Sequence, residues 1–129
     1  MATAKRKVVK KVVKKKPVKK VVKTAAEDLF CEQLKVALPD VSFIREHKGI
    51  PGRQFRFDFA SIRLQLAIEV QGAVFTYGGH STGVGITRDC EKLALANLNK
   101  WTVFQVTSGQ VRDGTAIKWI KQWCEGVLL

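Results

Sequence analysis

Residues 55–70 hold two alternating apolar segments separated by a short turn, and this pattern restricts the chain to architectures built around a sheet. Phe55, Phe57 and Phe59 fall on one face, with Arg56 and Asp58 on the other, the period-two signature of a half-buried strand. After a turn at Ala60-Ser61, Leu64, Leu66, Ile68 and Val70 alternate with Gln65, Ala67, Glu69 and Gln71. This second segment is apolar enough to be a central strand. Glu69 and Gln71 project from the same face, about 7 Å apart at a rise of ~3.4 Å per residue. Pairing the two segments as a hairpin brings the carboxylates of Asp58 and Glu69 together on a face whose reverse is phenylalanine, leucine and isoleucine. If helices cover both faces, solvent exposure does not account for those charges. A carboxylate in the most apolar strand is costly to bury without a partner. A hard divalent cation, magnesium or manganese, would neutralise the pair and polarise a phosphate.

The flanking segments predict the helices that would cover the sheet. Thr24-Ala25-Ala26-Glu27 reads as a capping box ahead of an apolar pattern at Leu29, Phe30, Leu34, Ala37 and Leu38, a first helix stopped near Pro39. Val41 to His47 is a loop or short strand, and Gly49-Ile50-Pro51-Gly52 is turn chemistry. From Gly72 to Thr87 the chain is glycine-rich, with Gly78-Gly79-His80 and Gly83-Val84-Gly85, and is expected to be a long loop that carries binding groups. A second helix follows from about Arg88 to Lys100, with Leu93, Ala96 and Asn97 or Leu98 toward the sheet and Asp89 favouring its N-terminus through the dipole. Val103, Phe104 and Val106 form a third strand. A last helix starts near Thr115 and buries Ile117, Ile120, Trp123 and Cys124. The order predicts an α/β sandwich, a mixed central sheet flanked by helices. Trp101, Trp119 and Trp123 are expected in the core.

The charge is concentrated elsewhere. Of the 23 lysines and arginines behind the net charge of +12, eleven lie between Lys5 and Lys23, namely Lys5, Arg6, Lys7, Lys10, Lys11, Lys14, Lys15, Lys16, Lys19, Lys20 and Lys23, with no acidic residue among them. Residues 24–129 are close to neutral. Lys-Val-Val-Lys recurs at 7–10, 11–14 and 20–23, a segment too poor in apolar area to offset the entropy of ordering its lysines. The reading is therefore a disordered basic tail over 1–23 and a folded domain over 24–129. The tail is suited to DNA phosphates. A short amphipathic helix on an anionic membrane is the alternative, opposed by Pro17 and by valine's poor helix propensity. No apolar run reaches membrane-spanning length, and no continuous apolar stretch suits export. Cys31, Cys90 and Cys124 lack zinc or disulfide spacing. An intracellular setting, small buried thiols and no membrane partner are expected.

Asp58 followed by Glu69-Val70-Gln71 resembles the D…(D/E)xK signature of the PD-(D/E)xK nuclease superfamily, the restriction-endonuclease and junction-resolvase class, with Gln71 in place of the lysine. The region from Arg53 to Val111 is also similar to small phage and prophage endonucleases related to very-short-patch-repair enzymes. The residues that carry this likeness are Arg56-Phe57-Asp58-Phe59-Ala60, Glu69-Val70-Gln71-Gly72, His80, Gly83 to Gly85, Asp89-Cys90-Glu91-Lys92 and Trp101-Thr102-Val103. The resemblance implies a restriction-endonuclease-like fold and hydrolysis of phosphodiesters in duplex or branched DNA, with Mg2+ or Mn2+, in a bacterial or phage-infected cell. It implies Asp58, Glu69 and Glu46 as metal ligands, with Glu32 and Glu27 as fallbacks for Glu46, and a backbone carbonyl beside Gln71 as a further ligand. Lys92 or His80 would assist in place of the missing lysine, Lys92 being oriented by Asp89 three residues earlier. Arg53 and Arg56 would join the tail in contacting DNA, and a homodimer stays open. The rival reading is a catalytically silent DNA-binding or packaging protein with a histone-like tail.

Overall fold

The computed structural model describes residues 25–72 and 83–128. Helix α1 covers 25–37 and is followed by β1 (Ile44–His47), β2 (Phe57–Ser61) and β3 (Leu66–Gln71). Then come α2 (Gly83–Leu98), β4 (Thr102–Thr107), α3 (Ser108–Arg112) and α4 (Thr115–Leu128). The four strands form one sheet in the order β1-β2-β3-β4. The first two pairings are antiparallel, whereas β3 and β4 are parallel from Leu66↔Thr102 to Gln71↔Thr107. A parallel pair needs a long crossover, and α2 lies within it. The mixed sheet flanked by helices is the expected α/β sandwich.

Alternation along β3 divides the core in two. Leu66, Ile68 and Val70 point to one face, where they meet Phe59, Val106, the α1 stripe Ala26, Phe30, Leu34 and Leu38, and the α4 stripe Ala116, Ile120 and Cys124. Both helical stripes repeat every four residues, the spacing that keeps side chains on one face. Each fully buried large side chain, such as Phe30 or Ile120, contributes about 1.5–3 kcal/mol by leaving water. On the other face Ala60 and Ala67 meet Ala96 of α2, together with Ile50, Phe57 and Trp101. Alanine on both sides lets α2 approach the sheet closely. Gly49 is needed beside this cluster, because a Cβ there would lie 2.8 Å from the Trp101 ring and 2.9 Å from Phe57. Its carbonyl accepts the Trp101 indole N–H at 3.2 Å.

Phe55 precedes β2, and Phe57 and Phe59 pack into different clusters. The alternation fails because β2 leaves β3 after Phe59↔Ile68, and the Asp58 carboxylate, not a strand carbonyl, accepts the Val70 N–H at 2.8 Å. Helix α2 starts at Gly83 and not near Arg88, so the glycines of Gly83-Val84-Gly85 occupy its first turn, where a poor helix former is tolerated. Asp89 consequently lies well inside the helix. Leu93 and Leu98 are exposed, as is Asn97, and Ala96 is the buried residue of α2. Trp101 is buried and Trp123 packs on Phe104, but Trp119 is 41% exposed on α4. Cys124 is buried, Cys31 half-buried and Cys90 exposed. Helix α3 was not foreseen. It is nucleated by a capping box in which the Thr107 hydroxyl accepts the Gln110 N–H and the Gln110 side chain accepts the Thr107 N–H. Thr24, His80 and the lysine-rich segment lie outside the described residues.

Candidate active site

Asp58 occupies the one point in β2 where both neighbouring ladders lapse. On one side β3 has separated. On the other, β1 pairs through Arg45↔Phe59 and His47↔Phe57 but skips Glu46, whose φ of 55° is left-handed. A non-glycine residue there is disfavoured by ~1–2 kcal/mol, and such strain is retained where surrounding structure holds it. Asp58 is thereby left outside both ladders, although the β1–β2 register continues on either side of it.

Three carboxylates converge there. One oxygen each from Glu27 on α1, Glu46 on β1 and Asp58 on β2 lie within 4.8 Å of one another. Glu27 and Asp58 are buried, at 4% and 7% exposure, and Glu46 is open to solvent. Arginines partly offset this concentration of negative charge. Arg45 donates to Asp28 at 2.7 Å and to Glu27 at 3.4 Å, while Arg56 lies 3.9 Å from Glu46. The hydrogen bond to Asp28 raises the Arg45 guanidinium above its already high ordinary pKa, so it remains cationic. The donor set suits a hard divalent cation, which prefers carboxylate oxygens. Opposite oxygens are about 4.2 Å apart across magnesium and roughly 5 Å across calcium, so the observed spacing lies within a small side-chain adjustment of either.

Glu69 is not part of that trio. It is 8% exposed on β3, and the Lys92 ammonium of α2 donates to its carboxylate. The same ammonium donates to the Arg56 carbonyl at 2.7 Å and lies 5.6 Å from the centre of the Phe57 ring. Lys92 thus enters the site from the helix and reaches the β3 carboxylate two residues before Gln71. The Gln71 carbonyl accepts a long hydrogen bond, 3.4 Å, from the Ser108 hydroxyl.

Glu46, Arg56, Asp58, Glu69, Gln71 and Lys92 line a cleft of about 790 Å³ together with Asp89, Gln105, Ser108 and Arg112. Of the residues singled out from sequence, Asp58, Glu69, Gln71, Lys92, Glu46 and Arg56 share this cleft. Glu27, a fallback in the sequence, joins Asp58 and Glu46, and Glu32 is instead exposed beside Lys35 on α1. Arg53 pairs with Glu91 at 2.7 Å. Sequence reasoning missed Arg112 and Gln105. The capping box at Thr107 was the available signal for a helix that would carry Arg112 to the cleft. No family and no curated protein matches the chain. Among solved structures, the fold is similar to the catalytic domain of the homing endonuclease I-Bth0305I, with a TM-score of 0.54 and 21% identity, over 78% of this chain and 89% of that one. The chain therefore shares its α/β fold with an endonuclease catalytic domain.

Proposed function

We propose that this protein is a metal-dependent DNA endonuclease of the PD-(D/E)xK class that hydrolyses phosphodiesters in duplex or branched DNA. The observation that carries the reading is the convergence of Glu27, Glu46 and Asp58 where the strand ladders lapse, with Glu46 and Asp58 lining the cleft that also holds the Glu69–Lys92 pair. The likeness of fold to an endonuclease catalytic domain supports it. Glu27, Glu46 and Asp58 would hold Mg2+ or Mn2+, which when bound polarises a phosphoryl oxygen and acidifies a water. Asp58 is kept in position by the Val70 N–H. Lys92, steadied by Glu69 and the Arg56 carbonyl, places a positive charge where negative charge develops during in-line attack. It supplies the cation that Gln71 cannot. The lysines and arginines between Lys5 and Lys23 add affinity for DNA without sequence preference.

Purified protein incubated with supercoiled plasmid and magnesium tests the reading, with a chelator control. The expected result is nicked or linear product that the chelator abolishes. Binding without cutting, at any divalent cation concentration, would instead identify a silent DNA-binding protein on the same fold.

A further inference from the structure

The cations of the cleft are not equivalent. Arg56 faces Glu46 and Lys92 is held by Glu69. Arg53, outside the cleft, is paired with Glu91. Arg112 is exposed, lines the cleft, and among the described residues has no ion pair with a carboxylate. The adjacent Asp113 carboxylate accepts the Thr115 N–H at 2.9 Å.

The backbone that carries Arg112 is firmly held. Val111 is fully buried in the main core, and its carbonyl accepts the Gln33 side-chain amide of α1 at 3.1 Å. The Thr107–Gln110 capping box fixes the start of α3, and Ser108 ties it to the end of β3. Gln105 precedes this helix on β4, is exposed on the same cleft wall, and pairs in register with Glu69. A guanidinium on a firmly held backbone with no carboxylate partner among the described residues, on the same cleft as a side-chain amide, matches the oxygens of a phosphodiester. Paired arginines such as Arg56 must first give up a carboxylate.

We infer that Arg112, assisted by Gln105, is a phosphate-binding seat that holds the DNA backbone at a position flanking the phosphate addressed by the carboxylates. The inference rests on the endonuclease reading and adds a residue that positions substrate. It assigns to β4 and α3 the task of fixing the strand's register, distinct from the role of Glu27, Glu46 and Asp58.

The test measures binding of the full chain to a fluorescein-labelled duplex in chelator, across a series of salt concentrations, and in parallel measures plasmid cleavage with magnesium. Arg112→Gln is expected to weaken binding about 10-fold at low salt and to reduce the slope of log affinity against log salt by ~0.9, the loss of one phosphate contact. Arg112→Lys should restore the slope, since it keeps the charge. Arg63→Gln, which removes an exposed arginine outside the cleft, should leave the slope unchanged. An unchanged slope in Arg112→Gln, or an equal fall in Arg63→Gln, overturns the seat while wild-type cleavage leaves the endonuclease reading standing. A wild-type protein that neither binds duplex nor cuts it overturns both.

Discussion

Glu69 stands in the strand where a charge is most expensive, and its pairing with Lys92 explains how the strand tolerates it. Removing one member of such a pair leaves the other desolvated, a cost of up to roughly 3–5 kcal/mol when both are fully buried and less here, where Lys92 keeps some exposure. Lys92→Met is therefore expected to do two things. It should lower stability in thermal melts, and it should slow cleavage by ~100-fold, about 3 kcal/mol of transition-state stabilisation. Adding Gln71→Lys should recover part of both, because it returns a cation to the neighbourhood of Glu69. Wild-type rates in Lys92→Met would remove Lys92 from the mechanism. At this scale the sequence marked Asp58 and Glu69, because each is a charge set against an apolar strand pattern, and the resemblance to nucleases marked Lys92. The sequence did not rank Glu27 above Glu46 or Glu32. All three are ordinary surface residues by sequence, and only the seating of α1 over β1 and β2 brings Glu27, rather than Glu32, to Asp58.

Elements with strong periodicity were legible. Helices α1 and α4 and the run of β3 follow from apolar spacing, since each must bury one face, although Leu29 in the α1 pattern is exposed and Ile117 and Trp123 on α4 are only partly buried. What stayed hidden were the departures from regularity, and the site is made of them. The lapse of the ladders at Asp58 depends on a left-handed Glu46 and on a carboxylate taking a strand's hydrogen bond, neither of which periodicity encodes. The start of α2 was masked by glycines that read as loop. Helix α4 offers a pH test at this scale. Its first N–H, that of Thr115, donates to Asp113, and hydrogen bonds from the Thr115 side chain and backbone lower the Asp113 pKa. A carboxyl depressed in the folded state stabilises above its unfolded pKa, near 3.9, and that contribution is lost as pH falls through the folded value. Asp113→Ala should therefore melt at a lower temperature than wild type at pH 7, with the gap closing toward pH 2. A gap that persists at low pH would show that the charge of Asp113 does not stabilise the helix start.

For the whole molecule, the basic charge is divided unevenly along the sequence. Residues 1–23 carry eleven of the 23 basic groups, and the remaining residues are nearly neutral. Among the described residues no helix is long and apolar enough to cross a membrane. If about five of the tail's cations engage phosphates, removing residues 1–23 should flatten the log-affinity against log-salt slope by ~4 while cleavage at low salt survives. An unchanged slope would transfer DNA affinity to the folded surface.

The endonuclease reading requires that Asp58 belong to a carboxylate site that enables DNA cleavage. Asp58→Asn tests it most directly, because the asparagine oxygen can still accept the Val70 N–H and the change removes only the charge. Magnesium-dependent plasmid cleavage should be abolished, with melting temperature and duplex binding in chelator nearly unchanged. Cleavage at the wild-type rate by Asp58→Asn would contradict the account.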